Sequence, residues 1–336
     1  MLGPDARIVV AGAGSIGCFI GGMLAAAGRD VTLLARPHIA GEISADGLRL
    51  TDLDGQSERL EPSAFNLATD AAALDEAELV LVTVKSGATE DMAQTVAAHC
   101  APGTTVLSLQ NGVGNLPVLR EALPGMTVLG GIVEYNVLHK GQGHFHRGTS
   151  GRIVIEAGRE DLLTLLRAPG LDVAATSDIA SVQWGKLLVN LNNALNALSG
   201  LPLREQLQSR EWRLLLAEQT QEALRVLAAA GIEPAPSPVP PRHVPRILRL
   251  PDMVFRLVAA RMLKVDPEAR SSMWEDLKRG RKTEIDWLQG EILTLGKRHG
   301  METPLCAAIA DCVKRAEANG AGSPELTPSQ IRAAVR

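Results

Sequence analysis

One lysine and four asparagines share the stretch Val182 to Leu198, which reads VQWGKLLVNLNNALNAL. On a helix turning about 100° per residue, with Lys186 as origin, Asn190 falls at about 40° and Asn193 at about −20°. Trp184, Leu187, Leu188, Leu191, Leu195 and Leu198 take the arc from about 100° to 200°, so one face is apolar and a narrow stripe holds lysine and amides. Asparagine is a poor helix former because its side chain competes for the backbone, and Asn190, Asn192, Asn193 and Asn196 together need a reason. Two readings stand. The stripe is solvated or bonded to a neighbouring domain, or Lys186 faces a cleft as proton donor to a carbonyl. Hydride addition to a ketone builds negative charge on oxygen, which an ammonium both stabilises and protonates. A cationic cofactor and partial desolvation would bring such a lysine's pKa toward the working range.

A second group lies near the N-terminus. Gly12-Ala-Gly14-Ser15-Ile16-Gly17 fits GxGxxG. The first glycine permits a tight turn, the second a close approach to pyrophosphate, and the third close packing of helix on strand. Amides at the following helix N-terminus favour phosphate charge. About 20 residues on, an NAD site usually places an acid on the ribose 2′-hydroxyl. Here Val31 to Leu34 runs into Ala35 and Arg36. A guanidinium pairs with a 2′-phosphate where a carboxylate would repel it, so the spacing predicts NADP(H); the alternative is a solvated loop arginine. Lys85 ends the run LVLVTVK, and Gln110-Asn111-Gly112-Val113-Gly114 follows another strand-like run. Both stand where open α/β sheets bind ligands. Lys85 otherwise reads as a lysine reaching from a strand end into water, and the Asn-Gly pair as a turn.

These groups need a frame. Arg7 to Ala11, Asp30 to Ala35, Leu79 to Val84, Thr104 to Leu109, Thr127 to Val133 and Arg152 to Ile155 read as strands. Most are continuous apolar runs, as expected for parallel strands covered on both faces. Ile16 to Ala27 and Thr89 to Cys100 read as helices between them, predicting an α/β, doubly wound Rossmann domain over residues 1–177. The remainder, 178–336, reads as all-α, with Ser181 to Leu198, Glu211 to Ala230 and Thr283 to His299 as its clearest helices. Gly300 is a candidate C-cap, and Thr303-Pro304 an N-cap with proline in the first turn. Glu233 to Pro251, with Pro234, Pro236, Pro238, Pro240 and Pro241, reads as a surface connection that cannot be regular helix.

Composition narrows the classes. The chain has 336 residues, 46% of them hydrophobic and 21% charged, with a formal net charge of −4. That balance suits a globular protein of two domains and offers no field for nucleic acid or an acidic membrane. Ile8 to Gly28 carries no charge and is long enough for a membrane span, but its many glycines favour strand, turn and buried helix. Cys18, Cys100, Cys306 and Cys312 form no CxxC pair, so we expect no metal and a reducing cytoplasm. Monomer and homodimer both remain open.

Taken together, GAGSIG, VTVKSG, LQNGVG, WGKLLVN and the late SSMWEDLKRGRKTEID resemble the ketopantoate reductase (2-dehydropantoate 2-reductase) family over nearly the whole chain. The resemblance implies a Rossmann domain joined to a helical domain like that of 6-phosphogluconate dehydrogenase. It implies NADPH as reductant, a 2-keto acid held against the nicotinamide, and a place in pantothenate and coenzyme A biosynthesis. Position by position, Lys186 matches the catalytic lysine and Asn190 the amide one turn later. Ser272 and Glu284 match a serine and glutamate tied to substrate and catalysis, Asn111 an asparagine near nicotinamide and substrate, and Arg36 and Lys85 basic cofactor contacts. Local explanations exist for two of these. Ser272 with Glu275 would make a capping box, and Glu284 would favour a helix N-terminus. The two are separated by an expected break near Gly280. The family commonly has asparagine and proline where this chain has Ala194 and Leu195, with Asn193 as a substitute for the amide. Three functions follow: ketopantoate reduction, NADPH-dependent reduction of another 2-keto acid, and a non-catalytic NADPH sensor. The last would need no proton donor, so Lys186, Asn190, Ser272 and Glu284 together argue against it.

Overall fold

The runs read as strands form the middle of one eight-stranded sheet. The computed structural model describes residues 1–236, 239–260 and 266–335; Pro238 of the proline-rich stretch lies outside them. In chain order the strands are β1 (Ile8–Ala11), β2 (Val31–Leu34), β3 (Leu48–Asp52), β4 (Ser57–Leu60), β5 (Asn66–Ala68), β6 (Leu79–Val82), β7 (Thr105–Ser108), β8 (Thr127–Val133), β9 (Val137–Gly141), β10 (His144–Arg147), β11 (Ile153–Glu156) and β12 (Val173–Thr176). The large sheet runs β12-β11-β8-β7-β6-β1-β2-β5. The strands that the sequence pattern misses, β12 and β5, are its two edges. Edge strands are half covered and lose the continuous apolar run that marks the interior. All pairings in it are parallel except β8 with β11.

Helices α1 (Ser15–Ala26), α2 (Pro37–Asp46), α3 (Thr89–His99), α4 (Asn115–Ala122) and α5 (Glu160–Leu166) connect these strands. Successive strand side chains alternate between faces. Ile8 and Val10 pack with Cys18, Phe19 and Ile20 of α1, while Val9 and Ala11 pack with Ala93 and Val96 of α3 and Leu119 of α4. A second sheet, β4-β3-β10-β9, has no counterpart in the sequence pattern. It packs on the far side of α1. A Cβ at Gly21 would strike Leu33 and Val10 of the large sheet, and one at Gly22 would strike Leu50 and Leu48 of the small one. A helix covered on both sides must be apolar all round. That explains the charge-free stretch from Ile8 to Gly28.

The chain divides into two compact units, Met1–Ile179 and Ala180–Arg336. The second holds α7 (Asn192–Ser199), α8 (Leu203–Gln208), α9 (Arg210–Ala229), α10 (Val244–Leu248), α11 (Asp252–Val258), α12 (Ser272–Lys278), α13 (Ile285–Arg298), α14 (Pro304–Asn319) and α15 (Pro328–Ala333), preceded by α6 (Ile179–Asn190), which starts at the division. The single helix expected over Ser181 to Leu198 is therefore two, interrupted at Leu191. Part of the proline-rich stretch is helical after all. Pro245 sits in the first turn of α10, where a missing N–H costs nothing. Earlier in that stretch, the Ala235 N–H donates to the Ser181 carbonyl at 2.9 Å, and Gly185 leaves room for the Ala235 carbonyl. No helix among the described residues is long and apolar enough to cross a membrane.

Candidate active site

The glycine turn joins β1 to α1. Gly12 has φ +101°, and a Cβ there would collide with Val84 at 2.5 Å. At Gly17 a Cβ would meet Thr83 Oγ1 at 2.7 Å and Val10 Cγ1 at 2.9 Å. A Cβ at Gly14, the N-cap of α1, would meet only the Gly12 carbonyl, at 3.9 Å. The three glycines thus supply a left-handed turn, an uncovered approach to backbone, and helix-on-strand contact. No side chain caps α1, whose first residues are Ser15 and Ile16. Its leading amides point where a phosphate would be held, and the uncovered Gly14 backbone admits one closely. The arrangement fits a dinucleotide pyrophosphate.

Arg36 is exposed at the N-cap of α2, directly beyond the end of β2. Lys85 is exposed beyond β6, and Asn111 is partly buried beyond β7. Since β7, β6, β1 and β2 are adjacent and parallel, Asn111, Lys85, Gly12 and Arg36 line up along one end of the sheet. Gly112, with φ +85°, provides the left-handed step of the Asn-Gly turn.

A polar mesh that sequence reasoning missed holds this edge together. Thr83 Oγ1 donates to the Gly12 carbonyl at 2.8 Å, tying β6 to the glycine turn. Gln110 Nε2 donates to the Val84 carbonyl at 3.1 Å and to Thr89 Oγ1 at 2.8 Å. Thr89 Oγ1 in turn donates to Asn115 Oδ1 at 2.8 Å, and Asn115 Nδ2 donates to Ser86 Oγ at 3.0 Å and to the Asn111 carbonyl at 2.6 Å. Ser86, Thr89, Gln110 and Asn115 are buried, and each bond exchanged with water on folding is kept inside. The only sign of it in the sequence is the clustering of short polar residues in SGAT and QNGVGN.

In the second unit, α6 carries Lys186 and Asn190 one turn apart, 9% and 6% exposed. Both are buried, not lined up along a solvated stripe. The other asparagines separate from them. Asn192 and Gln206 exchange side-chain hydrogen bonds at 3.3 and 3.0 Å. Asn196 donates to the Leu201 carbonyl and to Gln206, and accepts from the Ser271 N–H at 2.8 Å. Those two amides bind elements of the fold to one another. Asn193 is partly buried on α7, just beyond the interruption at Leu191.

Ser271, not Ser272, caps α12: its Oγ accepts from the Trp274 N–H at 3.2 Å and donates to the Asn193 carbonyl at 2.9 Å. The expected capping box of Ser272 with Glu275 is thereby corrected. Ser272 is exposed on the first turn of α12. Glu284 is partly buried at the N-cap position of α13 without a side-chain capping bond of its own, and Thr283 Oγ1 accepts from the Ile285 N–H. Gly280, with φ +60°, lies in the break between α12 and α13.

The sequence matches the family model for ketopantoate reductase PanE/ApbA over residues 8–160 and the model for its C-terminal part over 178–317. A 2-dehydropantoate 2-reductase of Halobacterium salinarum is 31% identical over 324 residues, which cover 94% of this chain and 100% of that protein. The chain belongs to the ketopantoate reductase family. It is an oxidoreductase of that family. The 2-dehydropantoate 2-reductase of Pyrococcus abyssi is 29% identical, covering 93% of this chain and 98% of its own. Among solved structures, a ketopantoate reductase family member from Ralstonia eutropha JMP134 superposes with TM-score 0.80 at 30% identity, covering 94% of this chain and 99% of that one. D-mandelate dehydrogenase, solved with NADH and anilino(oxo)acetate, superposes with TM-score 0.77 at 23% identity, covering 94% and 99%. That second likeness is one of fold.

Proposed function

We propose that this ketopantoate reductase family member reduces 2-dehydropantoate to pantoate with NADPH. The observation that carries the reading is the burial of Lys186 and Asn190 one turn apart on α6. An ammonium held out of bulk water acts on a developing alkoxide far more strongly than a solvated one. In this reading, residues 1–177 bind the dinucleotide and residues 178–336 supply substrate and catalytic groups. Gly12, Gly14, Ser15, Ile16 and Gly17 take the pyrophosphate, Arg36 the 2′-phosphate, and Lys85 a further phosphate or ribose oxygen. The bound dinucleotide supplies the hydride to the keto carbon. Lys186 Nζ gives its proton to the keto oxygen as charge develops there, leaving a 2-hydroxy acid. Asn190, Asn193 and Ser272 orient the keto acid, Asn111 holds the nicotinamide side of the substrate, and Glu284 acts with Lys186 on the reacting end. The names of the Halobacterium and Pyrococcus relatives support the substrate.

A second reading is reduction of a different 2-keto acid. Ala194 is fully buried and offers a methyl where the resemblance leads one to expect an amide, and a dehydrogenase acting on another 2-hydroxy acid shares the fold. The test is NADPH oxidation across a panel of 2-keto acids that includes 2-dehydropantoate. Highest kcat/KM on 2-dehydropantoate is the expected result. Turnover confined to another keto acid selects the second reading, and no turnover with any removes both.

A further inference from the structure

Leu191 separates α6 from α7, yet its own backbone stays helical, with φ −56° and ψ −28°. Two side chains from other helices reach its carbonyl oxygen. Gln289 Nε2 of α13 donates to it at 2.9 Å and Gln219 Nε2 of α9 at 3.5 Å. Both glutamines are 0% exposed, and each leaves its Oε1 buried with no hydrogen-bond partner. A flipped amide would turn oxygen against the Leu191 oxygen. The donor must face the carbonyl, and the acceptor is left unsatisfied. A hydrocarbon side chain of the same length would avoid that loss. Two such exceptions on a single carbonyl call for a cause beyond filling space.

The cause lies in what the joined helices carry. Leu191 stands little more than one turn beyond Lys186, and Gln289 little more than one turn beyond Glu284. The 2.9 Å bond therefore links the two elements bearing the proposed catalytic groups, close to both of them.

We propose that Gln289, assisted by Gln219, is a positioning residue that fixes Lys186 and Asn190 relative to Glu284 by clamping the Leu191 carbonyl. It acts through the backbone and not on the substrate. The inference rests on the proposed roles of Lys186 and Glu284, and a structural readout separates its failure from theirs.

The test uses the full chain with Gln219→Met/Gln289→Met, since methionine keeps length and volume while removing the donors; Gln289→Met alone serves if the double variant fails to fold. Misplacing a proton donor by a fraction of an ångström to an ångström should lower kcat about 10–100-fold while keto-acid KM moves less than about threefold. Unchanged kcat, or a loss matched by an equal rise in KM, overturns the proposal. Hydrogen exchange of the amides of residues 191–195 decides the clamp without activity: they should exchange about tenfold faster in the variant, and unchanged protection rejects it. A wild-type chain that reduces no 2-keto acid would remove the proposed function, and the exchange result would still decide the clamp.

Discussion

Lys186 and Arg36 differ in what surrounds them, and their predicted effects differ accordingly. Lys186 is buried on a helix and is proposed to act only as charge appears on the keto oxygen. Lys186→Met should therefore lower kcat/KM about 10²–10⁴-fold, the usual range for losing a general acid, with dinucleotide affinity preserved. Stopped-flow turnover beside a fluorescence titration of NADPH measures both, and equal turnover would remove the lysine from the mechanism. Arg36 is exposed at the end of β2, where a carboxylate would select the ribose hydroxyl. Losing a charge-assisted pair to the 2′-phosphate should weaken NADPH about tenfold in Arg36→Ala and leave NADH nearly unchanged. Equal weakening of both would mean that Arg36 does not read the 2′-phosphate. Position and residue type single out Arg36 and Lys186 as candidates in the sequence. The mesh of Ser86, Thr89, Gln110 and Asn115 is not legible there, because its bonds join residues from separate loops.

At the scale of elements, the small sheet is the part whose stability should follow pH. Glu42 of α2 accepts from His139 Nε2 of β9 at 2.7 Å and from the Gly143 N–H at 2.6 Å. Burial works against its charge, yet these bonds and the nearby imidazoles hold its carboxyl below the usual range. His144 of β10 is also held low, by burial first and then by Arg49, Lys140 and His146. Both groups have folded values below their unfolded ones, so their contributions are complete above the unfolded values. His144 loses its share as pH falls below about 6.5, and Glu42 as it falls below about 4.3. Protection factors of the β9 and β10 amides should thus fall on acidification, before those of β1 and β6. Glu42→Gln should weaken the dependence in the carboxylate range; an unaltered pH profile would show that the pair does not couple to this sheet. None of this is visible in the sequence, since β3, β4, β9 and β10 carry no continuous apolar run and their partners are distant. The ties at Leu191 are hidden for a similar reason: periodicity continues through it, and the glutamines that reach its carbonyl sit on α9 and α13.

For the molecule as a whole, the proposed cofactor adds a ligand term to the stability of the unit that binds it. Saturation at about 100 times Kd adds about 2.7 kcal/mol. Calorimetric Tm should rise with NADPH, rise less with NADH at the same concentration, and rise equally in Lys186→Met. No shift with either dinucleotide would contradict the glycine turn as a cofactor site. By itself the sequence determined the family, the α/β and helical halves, the glycine turn, and the residues able to supply chemistry. Those are local properties: apolar periodicity, turn-forming glycines, and the charge at a strand end. Tertiary structure alone decided the second sheet behind α1, the serine that caps α12, the structural use of Asn192 and Asn196, and the glutamines on the Leu191 carbonyl. Each depends on hydrogen bonds or side-chain packing between residues far apart in the chain, and only the folded backbone brings those partners within reach.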